Sequence, residues 1–138
     1  HSMSYFNRRE DAVRIYKTKS FFHWSSKHEV EDLHLVKAIE EIKVGINVVD
    51  LGGYLYKKRI ATKGRGKSGS VRTILAYKRE EAVFFLHGYE KGEKDNIVDL
   101  EKNALKKLAK VLLTLTETQI QKAVINGEIK EVHYVQEK

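Results

Sequence analysis

The chain has 138 residues, 41% hydrophobic and 33% charged, with 26 Lys+Arg against 19 Asp+Glu and a formal net charge of +7. That length suits one domain with apolar material enough for a core, which argues against wholesale disorder. The lack of cysteine excludes a disulfide scaffold, a thiol nucleophile, an iron–sulfur cluster and a cysteine zinc site; no apolar run approaches the ~20 residues that span a bilayer. With no signal-peptide region either, a cytoplasmic protein is expected, and His1–Ser2 before Met3 read as a tag remnant.

Residues 4–12 are polar and unpatterned and read as a loose N-terminal arm, so the expected domain is 13–135. Val13–Thr18 alternates apolar and charged residues, as a half-buried strand does. Ser20 is the expected cap of a short helix carrying Phe21, Phe22 and Trp24 into the core. A second helix is expected from about Glu29 to Lys43, with Val30, Leu33, Val36, Ile39 and Ile42 as its stripe and Gly45 ending it. The period then changes. After a turn at Asp50–Gly53, Tyr54–Ala61 sets Leu55, Lys57 and Arg59 on one face and Tyr56, Lys58 and Ile60 on the other. A glycine-rich loop at 62–69 leads to a β-branched strand at Val71–Tyr77, then an apolar one at Ala82–Tyr89, together an antiparallel meander. Asp99 begins a helix to about Leu115, and Thr116 with Gln119 matches a capping box for another, ended by Gly127. Ile129–Val135 is a short strand or a tail. The expected fold class is α/β in the α+β sense: a small antiparallel-dominated sheet with an N-terminal helical pair and C-terminal helices.

The positive charge is concentrated. Between Tyr54 and Arg79 stand nine basic residues (Lys57, Lys58, Arg59, Lys63, Arg65, Lys67, Arg72, Lys78, Arg79) and no acidic one, leaving 17 basic residues against all 19 acids elsewhere. Solvated lysine faces usually interleave both signs, so a one-sign block on two strands and their loop points to a polyanionic partner.

Other chemistries fit less well. Ala61–Ser68 resembles a relaxed phosphate-binding loop, but such a loop needs a helix directly after its Lys-Ser, and Gly69–Ile74 reads as strand. The six histidines form no metal-ligand spacing, and no metal or cofactor is expected. The acids crowd helix faces and no nucleophile-elbow motif occurs. What remains is the basic meander. Lys57 and Arg59 project from one strand face, Arg72 follows on the next strand, and His87 and Tyr89 share a face of the third, with Lys91 and Lys94 at its exit. Cations, imidazole and an aromatic ring on a sheet suit passive RNA binding. They also suit metal-free RNA cleavage, which needs deprotonation of a 2′-oxygen, charge stabilisation at phosphorus and protonation of the leaving 5′-oxygen.

The order of elements and a set of motifs resemble the RelE/ParE toxin superfamily, in particular its RelE/HigB-like branch. The motifs are Asp50-Leu51-Gly52-Gly53, Lys57-Lys58-Arg59, Gly64-Arg65-Gly66-Lys67-Ser68-Gly69, Arg72-Thr73-Ile74, Tyr89–Ile97 and Gly127–Val132, over about residues 13–132. The resemblance implies the toxin of a type II toxin–antitoxin module: a ribosome-dependent mRNA endonuclease that inhibits translation and is restrained by a cognate antitoxin, expected to be a helix-turn-helix protein. It implies that Lys57 and Arg59 contact the scissile phosphate, Arg72 stabilises the transition state and Lys91 aids the leaving group. Lys58, Lys63, Arg65, Lys67 and Lys94 are expected to dock RNA. His87 stands where related sequences often carry tyrosine, and Ile97 lies near the place of the late catalytic tyrosine of RelE; His87 or Tyr89 is the expected substitute, by stacking or proton transfer. The alternatives are a non-enzymatic RNA-binding module and a ParE-like gyrase inhibitor.

Overall fold

A computed structural model describes residues 13–62, 69–79, 81–92 and 99–133. In chain order these form β1 (Arg14–Thr18), α1 (Lys19–Lys27), α2 (Asp32–Lys43), β2 (Val48–Gly52), β3 (Leu55–Ala61), β4 (Ser70–Lys78), β5 (Ala82–Glu90), α3 (Asp99–Leu113), α4 (Glu117–Ile125) and β6 (Ile129–Glu131). The six strands make one sheet in the order β2-β3-β4-β5-β1-β6, antiparallel except for the parallel β1–β5 pair. The expected α+β class is therefore the observed one.

Alternation in the strands divides the core in two, because successive side chains point to opposite faces. Ile15, Ile60, Val71, Leu75 and Phe85 pack with Phe21 of α1 and Leu35, Ile39 and Ile42 of α2. Tyr16, Leu55, Ile74, Ala76 and Phe84 pack on the other face with Ala109 and Leu112 of α3 and Ile120 and Ala123 of α4. Gly88 lets α1 approach the first of these faces: a Cβ there would lie 2.3 Å from Trp24 Cζ3.

Local signals explain most boundaries, with four corrections. The α1 cap is Thr18 rather than Ser20, its Oγ1 accepting the Phe21 N–H at 3.2 Å. α2 begins at Asp32, not Glu29, because Glu29 sits at φ +60 in the inter-helix turn, incompatible with a right-handed helix. Its buried stripe is Leu35, Ala38, Ile39 and Ile42, whereas Leu33 is 72% exposed. A constant spacing of three falls behind a 3.6-residue helix by about 60° per step, so the expected stripe leaves the core-facing side. Finally, of the turn expected at Asp50–Gly53, Asp50–Gly52 belong instead to the edge strand β2. Asp50 Oδ1 accepts the Gly52 N–H at 2.8 Å beside a bulge, and the reversal falls at Gly53 and Tyr54, both at φ above +60 as a two-residue hairpin turn requires. The Thr116–Gln119 capping box, the positive-φ Gly45 and Gly127 after their helices, and β6 all stand as the sequence implies.

Candidate functional site

The site is assembled by strand register. β3 sets Arg59 opposite Arg72 and Lys57 opposite Ile74; β4 in turn sets Arg72 opposite Tyr89 and Ile74 opposite His87. Opposed residues of an antiparallel pair share a face, so Arg59–Arg72–Tyr89 and Lys57–Ile74–His87 form adjacent rows across three strands. Both rows lie on the sheet face that α3 and α4 cover further along. With strands about 4.8 Å apart, the Arg59 and Arg72 backbones adjoin, and Lys57 stands roughly 10 Å from His87 across Ile74.

A bulge puts His87 there. Leu75 pairs with Phe85 but Ile74 with His87, so Leu86 is an extra residue in β5. Strict alternation from Phe85 would send His87 toward α1; the bulge turns it, and Tyr89 after it, to the basic face. The His87 and Tyr89 rings are 6.0 Å apart between centroids.

The two arginines are held by neutral oxygens. Arg59 Nη2 donates to Asn47 Oδ1 at 3.3 Å, and the Arg59 N–H donates to the Asn47 carbonyl at 3.2 Å. Arg72 Nη1 donates to Ser70 Oγ at 3.2 Å. Among the described residues neither guanidinium has a carboxylate within ion-pair distance. Like charges directly opposite on a sheet are destabilising, so this pair is an electrostatic cost that a bound anion removes. Lys57, Arg72 and His87 are half-buried, and Arg59 and Lys91 are exposed, Lys91 lying just past β5. The stem of Lys106 on α3 runs along Gly53, and its Nζ would stand 3.2 Å from a Cβ on Gly52, so α3 seats against the β2–β3 turn.

Two expectations change. Lys58 does not present its charge for docking: it is 0% exposed, beneath α2, with Nζ donating to Glu41 Oε1 at 2.7 Å and to the Arg59 carbonyl at 2.9 Å. Tyr89 is 4% exposed and packs in the core against the α3 face, so it offers no open ring for a base to stack on. Lys63, Arg65, Lys67 and Lys94 lie outside the described residues. Asn47 and Ser70, which hold the two arginines, were not singled out from sequence. Ser70 had a signal, being two residues from Arg72 on one strand; Asn47 had none, since only tertiary pairing brings it beside Arg59. No group of three or more His, Asp or Glu among the described residues is placed to hold a metal ion, and no helix among them is long and apolar enough to cross a membrane.

An arginine pair on adjacent strands and a lysine beside it make one face of this six-stranded α+β sheet cationic. A family model described as the RelE toxin of the RelE / RelB toxin-antitoxin system matches residues 13–132. The chain belongs to this family, the toxins of toxin–antitoxin modules, and family membership implies an antitoxin partner. No curated protein sequence matches it significantly.

Proposed function

We propose that this toxin is a ribosome-dependent mRNA endonuclease that cuts by attack of the 2′-hydroxyl on the adjacent phosphate. The observation that carries the reading is the opposition of Arg59 and Arg72, neither paired to a described carboxylate, on the face that also holds Lys57 and His87. A phosphodiester seated on this face meets guanidinium donors from two strands. As the O2′–P bond forms and the P–O5′ bond breaks, charge grows on the non-bridging oxygens, where Arg72 and Arg59 stabilise it. Lys57 contacts the same phosphate at the approach of the 2′-oxygen. His87 moves the proton, taking it from the 2′-hydroxyl or returning it to O5′, with Lys91 supporting the departing oxygen. The products are a 2′,3′-cyclic phosphate and a 5′-hydroxyl. Tyr89, buried beside His87, acts as a positioning residue for the imidazole rather than as a stacking platform.

The message is reached on the ribosome in the cytoplasm, and the antitoxin that restrains the toxin is a helix-turn-helix protein; a short reading frame of that type beside the gene checks the second point. The enzymatic claim is tested by expressing wild type and Arg72→Ala without antitoxin and mapping message ends. Loss of transition-state stabilisation from one such group lowers cleavage about 100- to 1,000-fold. Equal growth arrest and equal message integrity in the two strains would sink the assignment. Arrest with intact messages would replace it with non-enzymatic inhibition, and supercoiling defects with intact messages with gyrase inhibition.

A further inference from the structure

We propose that the groove between α3, α4 and β6 docks an amphipathic helix of the antitoxin, one that carries acidic side chains beside its apolar face. The proposal rests on family membership and not on the endonuclease reading. α3 is apolar over more of its circumference than the sheet covers. Ala109 and Leu112 are buried at 0% and 8%, whereas Leu108 and Val111 are 39% and 56% exposed and Ala104 is exposed too. At about 100° per residue, Ala104, Leu108 and Val111 fall within an arc of about 60°, centred about 140° from Ala109. Their spacing of four and then three, which Leu115 continues just after the helix, is the seam against which a second helix packs. The described elements leave this seam open to solvent.

Beside the seam lies a cavity of about 560 Å³. Leu108, Val111, Leu112 and Leu115 form one wall, and Ala123 of α4 and Ile129 of β6 line the rest of its apolar surface. Its rim is cationic. Lys19 and Lys122 line it against a single carboxylate, Glu128, and Lys107 and Lys110 are exposed on α3 beyond Val111. None of these four lysines has a carboxylate within ion-pair distance among the described residues. This combination selects the occupant. A nucleic acid would use the lysines and leave the apolar wall wet, while a second copy would set the same lysine rim against itself. An apolar helix face flanked by Asp or Glu satisfies both features, and family membership implies a protein partner to supply it, the antitoxin. Lys57, Arg59, Arg72, His87 and Lys91 take no part in the groove, so docking there can be altered without touching the cationic sheet face.

The test uses the purified full chain and the purified product of the reading frame adjacent to its gene, with affinity read by calorimetry and contact by hydrogen exchange. Saturable binding is expected, with added protection over residues 108–113 and 119–123. The partner's sequence should hold apolar residues at alternating spacings of four and three with Asp or Glu beside them. Val111→Glu should weaken binding about 100-fold and the milder Val111→Ser about tenfold, each moving the Tm of the free chain by no more than about 3 °C because Val111 already meets solvent. Lys107→Glu with Lys122→Glu should weaken it about tenfold and flatten its salt dependence. Leu33→Ser, at an exposed apolar position on α2, should stay within about twofold of wild type. Binding is measured directly, so a chain that cleaves no message still gives a result. A wild-type dimer that Val111→Glu dissociates would assign the groove to a second copy, and pelleting with phosphatidylglycerol vesicles that Val111→Glu abolishes would assign it to a lipid surface; either overturns the proposal. So would no adjacent frame whose product binds, affinities of both Val111 variants within about twofold of wild type, or tighter binding by the lysine double variant.

Discussion

Glu41→Ala removes the carboxylate that, among the described residues, pairs with the fully buried Lys58 ammonium. Lys58 is 0% exposed, and its Nζ sits 2.7 Å from Glu41 Oε1 with the Arg59 carbonyl, at 2.9 Å, as its other partner. Breaking a buried pair from one side costs about 3–5 kcal/mol because the surviving charge stays desolvated. The Glu41 side chain is 30% exposed, so water reaches the vacated side and the cost is discounted to roughly 2–3 kcal/mol, at or below the bottom of that range. For a domain of this size each kcal/mol moves the Tm by about 3–5 °C, giving a fall near 10 °C. Lys58→Met keeps the volume and removes the charge, leaving Glu41 to be solvated, and should cost no more than about 1.5 kcal/mol. Adding Glu41→Ala to it should change little, so the double-mutant cycle yields a coupling of about 2 kcal/mol. Urea unfolding of the four proteins measures this, and message cleavage per folded molecule gives a second readout. Lys58→Met should cleave within about threefold of wild type, because its ammonium is on the face away from Arg72. Glu41→Ala within about 0.5 kcal/mol of wild type, or a stable but inactive Lys58→Met, would refute the reasoning.

Gly88→Ala should destabilise by about 3 kcal/mol, since its Cβ would lie 2.3–2.6 Å from three ring atoms of Trp24; Trp24→Leu in the same chain should recover part of the loss, and an alanine variant as stable as wild type in urea would contradict the packing described. Tyr16 is buried at 0% exposure with no partner for its hydroxyl among the described residues, and burial pushes its pKa from 10 up to about 12. Because the folded state holds this proton more tightly, the stabilisation is complete below pH 10 and is lost as pH rises from 10 through 12. The loss is of the order of 1–3 kcal/mol. Tyr16→Phe should therefore flatten the alkaline limb of a Tm-against-pH curve and raise Tm slightly at neutrality; parallel curves for the two proteins would argue against it.

Short-range geometry is legible in the chain without its fold. The alternation that puts Lys57 and Arg59 on one face of β3 and Tyr56, Lys58 and Ile60 on the other depends only on a two-residue period. The Thr116–Gln119 box and the glycines after α2 and α4 are likewise local. In α2 the apolar residues at a spacing of three do not mark the buried face, because a helix of 3.6 residues per turn does not keep that spacing. The concentration of cations at 54–79 was legible too, but not which of them face solvent. That was decided by tertiary structure. Glu41 and Lys58 are 17 residues apart, and only the packing of α2 on β3 turns a candidate docking cation into a buried ion pair. The one-residue bulge at Leu86 decides that His87 joins the arginine face, and pairing with β2 brings Asn47 to Arg59. Each of these depends on register between strands distant in the chain, which no local spacing encodes and which the packing of both sheet faces selects, since a one-residue slip would exchange buried and exposed side chains.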